Sequence, residues 1–329
     1  MKFICLVLSC LSFQLVSAGL DWQRKADLLL PVQEIYPAVF RGEIYVAGGL
    51  SSELPKPEGQ MTAKVQIYNP TTDQWRFGPA LPQGRHHGQL VAVADQLYLF
   101  GGFVQANGGN WSASADVLRL DPQRQLWTNV ATLPAPLSET ISWVQADKVH
   151  LVSGRAPTST ANAQWQDQTD VAIHWVFDVK SLSTTEAAAL PEAKNSAAGL
   201  LLNGRGYLFG GRQVKGSNSD QVYSFDEKSQ LWLRQKAMPQ AQAGLAAAAL
   251  QRQILLFGGE FFQQGGGVFN KVWSYSPEEN SWQQQGEMPV PRHGLGAVTL
   301  NNAVYVIGGA TEAGLKQTSA VLEKVSLKQ

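Results

Sequence analysis

Apolar residues along this chain come in short runs that end in paired glycines. "EIYVAGG" (43–49), "QLYLFGG" (96–102), "RGYLFGG" (205–211), "QILLFGG" (253–259) and "AVYVIGG" (303–309) are five copies, and "KVHLVSG" (148–154) is a worn sixth. Runs this short, rich in Val, Ile, Leu, Tyr and Phe and bounded by glycine, predict buried strands rather than helices. They recur about every 50 residues, and a fixed period of that size marks an array of like units.

A second pattern lies between them. "VQIYNPTTDQW" (65–75), "VLRLDPQRQLW" (117–127), "VYSFDEKSQLW" (222–232) and "VWSYSPEENSW" (272–282) each place an aromatic residue or Leu seven positions before a Trp, across an Asn, Asp, Ser or Pro turn. That is two strands joined by a tight connection. Trp75, Trp127, Trp232 and Trp282 each precede the first residue of the next glycine pair by 26 positions. The same count back from Gly48 reaches Trp22, and from Gly210 it reaches Thr184, so one unit has lost its Trp. Trp22 therefore belongs to the outer strand of the last unit, whose other strands come from the C-terminal "TSAVLEKV". Joining the two ends of the chain in one sheet closes a ring and leaves no open sheet between first and last units. "AGLAAAAL" (243–250) and "TEAAALPEAK" (185–194) have helical propensity, but the repeat register assigns them to strand and turn.

Composition narrows the partners. Of 329 residues, 26 are Lys or Arg and 26 Asp or Glu, so formal net charge is zero and nothing points to nucleic acid. "MKFICLVLSCLSFQLVSA" reads as an export signal cleaved after Ala18, with Lys2 as its basic end and Val16-Ser17-Ala18 as its small-residue site. The expected location is periplasmic or secreted. A lipoprotein form at Cys10 is the rival reading. No later run is long enough to span a bilayer. Cys5 and Cys10 are the only cysteines and both fall within the signal, so the mature chain has no disulfide and no thiol ligand or nucleophile.

The glycine pairs, the Trp seven residues after an aromatic, and the "LP" turn before Arg together resemble the kelch repeat over essentially the whole mature chain. The resemblance implies an all-β fold, a six-bladed β-propeller over residues 19–329 closed by its N-terminal strand. It also implies that the strand after "LPxxR" is innermost in each blade. In that geometry the positions 16, 15 and 14 before each glycine pair reach one mouth. They read Val32-Gln33-Glu34, Arg85-His86-His87, Leu137-Ser138-Glu139, Lys194-Asn195-Ser196, Gln242-Ala243-Gly244 and Arg292-His293-Gly294. Leu50, Phe103, Arg155, Arg212, Glu260 and Ala310, directly after the pairs, should join them, with Trp111, Trp165, Phe261 and Phe262 from the loops.

The expected ligand contacts are Arg85, His86, Arg155, Lys194, Asn195, Arg212, Arg292 and His293. The expected rim is electropositive, suited to an acidic or polyhydroxylated small molecule such as a sugar acid, because guanidinium groups fork carboxylates. The same arginines have a structural reading, as donors to loop carbonyls. His86 and His87 are adjacent on a strand and should point to opposite sides, so no metal is expected, and no motif implies a cofactor. Three functions fit: a small-molecule binder, a protein-interaction module, and an isomerase resembling the kelch-type sialic acid mutarotases of bacteria. For the last, Glu34, Glu139 and Glu260 are the candidate bases. A copper radical oxidase resembling galactose oxidase is disfavoured by the missing cysteine.

Overall fold

The computed structural model describes residues 19–56 and 59–328. The expected export signal and both cysteines lie outside the described residues. Within them the chain forms six large sheets, each built on four antiparallel strands, and two smaller sheets of three and two strands; in the first five large sheets the four strands run in chain order from inside to outside. The first is Ala38–Phe40, Glu43–Ala47, Val65–Asn69 and Gln74–Phe77. The innermost strands pack side by side in sequence order, and that of the sixth sheet packs against that of the first. No helix among the described residues is long and apolar enough to cross a membrane.

The sixth sheet takes its outermost strand from the other end of the chain. Leu20–Lys25 pairs antiparallel with Leu322–Leu327, with Trp22 opposite Val325. Trp22 packs edge-on against Phe257 of the fifth blade, ring centres 6.0 Å apart. "AGLAAAAL" is the innermost strand Ala243–Leu250. Its small side chains fit where six strands converge, and strand pairing overrides helical propensity.

The glycine pairs stitch neighbouring blades. In all six, the N–H of the second glycine donates to a carbonyl of the next blade: Gly49 to Arg85, Gly102 to Leu137, Gly154 to Lys194, Gly211 to Gln242, Gly259 to Arg292 and Gly309 to Val32, at 2.7–3.1 Å. The carbonyl approaches so closely that a Cβ on Gly48 would lie 2.1 Å from the Arg85 oxygen, and one on Gly258 2.0 Å from that of Arg292. Glycine is required here for backbone approach as well as for positive φ. The tryptophans stitch too. The indole N–H of Trp75, Trp127, Trp232 and Trp282 donates to the carbonyl of Ala26, Pro79, Ala188 and Lys236 respectively.

The third blade, which lacks the repeat Trp, carries an aromatic cluster on the side that packs against Trp232 of the fourth. Trp143 on the third innermost strand stacks on His150 at 5.0 Å and 15°, and His150 Nδ1 lies 2.8 Å from His174 Nε2. Both histidines are buried. Burial, first of all, lowers His150 to about 3 and His174 to about 4.

Candidate functional site

Each innermost strand is entered through the three residues read above, and the three fare differently. The first turns into its own blade. Arg85 Nη1 donates to the Gly101 carbonyl and Nη2 to Asp116 at 2.9 Å. Gln242 reaches the Gly258 carbonyl. Arg292 donates to the carbonyls of Gly308 and Val321 and to Glu323 at 2.7 Å. Lys194 lies against Glu192 at 3.2 Å and Ser219 at 3.3 Å. All four side chains are buried. Burial lowers Arg292 to about 10 although Glu323 pulls the other way. Arg85, Lys194 and Arg292, expected at the rim, are thus spent within the fold. Arg85 and Arg292, like the neutral Gln242, satisfy the glycine carbonyl of their own blade.

The second residue is paired at the same level in every blade. Gln33, His86, Ser138, Asn195, Ala243 and His293 pair across a β-bridge with Leu50, Phe103, Arg155, Arg212, Glu260 and Ala310. The sequence register therefore brings these twelve residues to one level. Asn195 is held by Asp170, which also accepts the Val214 N–H.

The third residue is in the left-handed region in every blade: φ is 57° at Glu34, 52° at His87, 50° at Glu139, 52° at Ser196, 66° at Gly244 and 57° at Gly294. Backbone hydrogen bonds link four neighbouring pairs around the axis: Gly244 N to Ser196 O, Gly294 N to Gly244 O, Glu34 N to Gly294 O and His87 N to Glu34 O, at 2.7–3.0 Å. This conformation breaks strand alternation. It brings the His87 and His86 rings together, Nδ1 to Nδ1 at 2.6 Å, against the expectation that they diverge. Among the described residues no cluster of three or more potential metal ligands forms. The two glycines in this register were the legible sign that all six positions take positive φ.

Side chains complete a polar belt. His87 Nε2 meets Glu34 Oε2 at 2.8 Å. His293 Nδ1 lies 3.3 Å from Glu260 Oε2 and 3.8 Å from Glu34 Oε1. Glu260 Oε1 takes Arg212 Nη1 at 2.8 Å, and Glu139 takes Ser196 Oγ at 2.8 Å and Arg155 Nη1 at 3.5 Å. The belt crosses five of the six blade junctions and skips the one between His87 and Glu139. Burial pushes the Glu34 carboxyl up, but His87 with its charge and hydrogen bond, then His293 and Arg212, outweigh it and bring Glu34 to about 2. Burial likewise opposes the charge on His87, and Glu34 prevails, raising it. Burial, and then the charge on His87, drive His86 well down, so His86 is neutral.

Charges at this level nearly cancel: Glu34, Glu139 and Glu260 against Arg155, Arg212 and His87. The electropositive rim expected from sequence is not formed. Arg155 is buried and capped by Trp165, 3.6 Å from its ring centre. Arg212 keeps 24% of its side chain exposed and lies 5.3 Å from the ring of Phe262, itself 61% exposed. Below the belt a channel of about 420 Å³ follows the axis between the innermost strands. A space of about 10 Å³, lined by Glu34, Tyr36, Ser196, Gly244 and Gly294, lies among the first, fourth, fifth and sixth blades. Tyr36, which lines both spaces, was not anticipated from the repeat, because its counterparts in the other blades are not aromatic.

Among curated proteins, the kelch-like protein terF of Aspergillus terreus is 27% identical over 234 residues, covering 70% of this chain and 50% of its own length. Beta-scruin of Limulus polyphemus is 25% identical over 244 residues, 73% of this chain and 26% of its own. The chain thus spans half or less of these relatives. The solved structure of YjhT superposes with a TM-score of 0.76 at 17% identity, covering 92% of this chain and 97% of that one. At such identity the likeness is one of fold. Residues 44–316 match the Attractin/LZTR1 beta-propeller, and with the greater part of the chain matched, this protein belongs to that β-propeller family.

Proposed function

We propose that this propeller binds a small polyhydroxylated molecule carrying one carboxylate at the loop face of its axis, with Arg212 as the anchoring contact. The observation that carries this reading is the state of Arg212. Its guanidinium is fixed by buried Glu260 at 2.8 Å, yet the side chain remains a quarter exposed beside the open Phe262 ring. A pre-oriented guanidinium under an aromatic face suits a carboxylate on a sugar-like ring. Asn195 and Arg155 support it from the same level. A thermal-shift and titration series with acidic and neutral sugars tests this. A ligand of the folded state raises the melting temperature, and Arg212→Gln should remove the preference for acids. Equal response to neutral sugars, or binding only to a protein partner, would replace the reading by the interaction-module alternative. Export with cleavage after Ala18 belongs to the same proposal, and intact mass of the secreted chain checks it.

A second reading, sugar mutarotation, is favoured by His293. Its Nε2 lies 2.9 and 3.1 Å from the carbonyls of Glu312 and Gly314. Carbonyls only accept, so Nε2 carries a proton. In the neutral ring Nδ1 is then an acceptor facing the Glu260 carboxylate, a place where a proton can be held and passed on. Glu34, at about 2, is too weak a base for that work, which leaves Glu260 and Glu139. Glu260→Gln should abolish anomer exchange on fresh sialic acid, followed by NMR saturation transfer. Wild-type protein that binds the sugar without accelerating exchange refutes the isomerase.

A further inference from the structure

Among the described residues Arg85, Arg155 and Arg292 are buried arginines, and Arg155 is paired more loosely than the other two. Arg85 meets Asp116 at 2.9 Å and Arg292 meets Glu323 at 2.7 Å. Arg155 has Glu139 at 3.5 Å, and Glu139 keeps a shorter hydrogen bond, 2.8 Å, for Ser196. Arg155 Nη2 donates to the carbonyls of Trp165 and Gln168 at 3.1 and 3.0 Å. Its Nε–H finds no acceptor among the described residues, so the five donors of this guanidinium are incompletely used. Burial lowers Arg155 against the pull of Glu139 and Asp170. A buried and poorly neutralised charge at a cleft marks a functional position.

The cover of this cation is one indole. The Trp165 ring centre lies 3.6 Å from Arg155 Cζ, and Trp165 is 37% exposed where Arg155 is 0%. Trp165 therefore stands between the guanidinium and solvent. Its own segment holds it there. Trp165 opens the short helix Trp165–Asp167, and Asp167 takes the N–H groups of Ala163 and Gln164 at 2.8 and 3.1 Å. Asn162 ties the segment to the second blade through both backbone groups of Ala113, at 2.9 and 2.8 Å, and accepts from Gln168 at 2.7 Å. The cation–π contact with a desolvated guanidinium adds to these ties.

Arg155 and Arg212 share a neighbour. Burial opposes the charge on Arg212, and Glu260, then Glu139, outweigh it. Glu139 and Arg212 both act on Arg155, the first in favour of its charge and the second against. The two guanidinium groups thus stand within electrostatic reach of each other and of Glu139. We propose that Trp165 is a specificity-determining residue of the loop-face site: it occludes Arg155 as a second anion contact, so the site accepts a polyhydroxylated ligand with one carboxylate and rejects one with two. The inference rests on the reading that Arg212 anchors the first carboxylate. With Arg212 engaged and Arg155 covered, a second carboxylate meets Glu34, Glu139 and Glu260 and loses its hydration without a partner. With the indole gone, Arg155 has unused donors to offer it.

The test uses the mature chain with gluconate and glucarate, which share one polyhydroxylated carbon chain and differ by a second terminal carboxylate, read by calorimetry. Wild type should bind gluconate about tenfold or more tightly than glucarate, as repulsion of an unpaired charge implies. Trp165→Ala, or Trp165→Ser should the first not fold, should tighten glucarate relative to gluconate about ten- to hundredfold, as hydrogen bonds to a charged group imply. Trp165→Phe keeps an aromatic cap and should keep the wild-type ratio. Adding Arg155→Gln to Trp165→Ala should cancel the gain. Phenylglyoxal labelling, read by peptide mass, checks the cover itself: Arg155 should be protected in wild type and modified in Trp165→Ala. An unchanged ratio in folded Trp165→Ala, a gain that survives Arg155→Gln, or equal labelling of Arg155 in both proteins overturns the proposal, while gluconate binding by wild type leaves the loop-face reading standing. Wild type that binds neither acid overturns both.

Discussion

Glu34→Gln is the sharpest probe of the belt, because Gln keeps the size of the side chain and removes only its charge. Glu34 falls from 4.5 to about 2 in the folded protein, and each unit is worth about 1.4 kcal/mol, so ionised Glu34 contributes about 3 kcal/mol at neutral pH. The sign follows from proton binding. With the folded value depressed, the unfolded chain takes up the proton first as pH falls, so the contribution is complete above about 4.5 and is lost on the way down to about 2. His87, raised by the same contact, contributes below its unfolded value near 6.5 and loses that contribution as pH climbs through its folded value. The two describe one interaction and are not summed. Glu34→Gln should therefore lower the melting temperature by several degrees at pH 6, at about 2 °C for each kcal/mol in a chain of this size. Near pH 3 the penalty should shrink by about 2 kcal/mol, since wild type has by then lost most of the same contribution. A double-mutant cycle with His87→Gln, read by denaturant unfolding, isolates the pair. A penalty independent of pH, or a coupling below about 0.5 kcal/mol, refutes the electrostatic account of the belt.

Three further outcomes follow from the geometry. His150 and His174 are buried and neutral, with folded values of about 3 and about 4, so each should cost up to about 1.4 kcal/mol of stability per pH unit as pH falls from about 6.5 toward those values; calorimetry from pH 7 to 4 should show a flatter slope in a folded His150→Gln/His174→Gln variant, and an unchanged slope refutes the assignment. Arg292→Met strands buried Glu323 and three carbonyls, so it should destabilise by about 3–5 kcal/mol while leaving ligand preference intact in the folded fraction, the reverse of Arg212→Gln; a mild Arg292→Met phenotype in urea unfolding would return that residue to the binding surface. Deleting residues 20–25 removes the strand paired to Leu322–Leu327 and bares an edge, so light scattering should report aggregation rather than a slightly weaker monomer.

Much of the architecture is local information repeated six times, and that is why it could be read from the chain alone. The strands, the Trp register, the strand state of "AGLAAAAL" and the pairing of Trp22 with the C-terminal strand all follow from a period that averages away local propensity. So does the level shared by His86, Asn195, Arg155, Arg212, Glu260 and His293. The use of each charge could not be read that way. Arg85, Lys194 and Arg292 belong to the same motif as the mouth residues, but whether a cation meets a ligand or a carbonyl depends on partners far along the chain, such as Asp116 and Glu323. Those partners come within reach only when the blade closes. The left-handed turn at Glu34, His87, Glu139 and Ser196 likewise required the ring, because hydrogen bonds to neighbouring blades help hold non-glycine residues in that conformation at Glu34 and His87. Periodicity sets which residues share a level. Only the packing of six blades about one axis decides which way each side chain turns and which charges are left for a ligand.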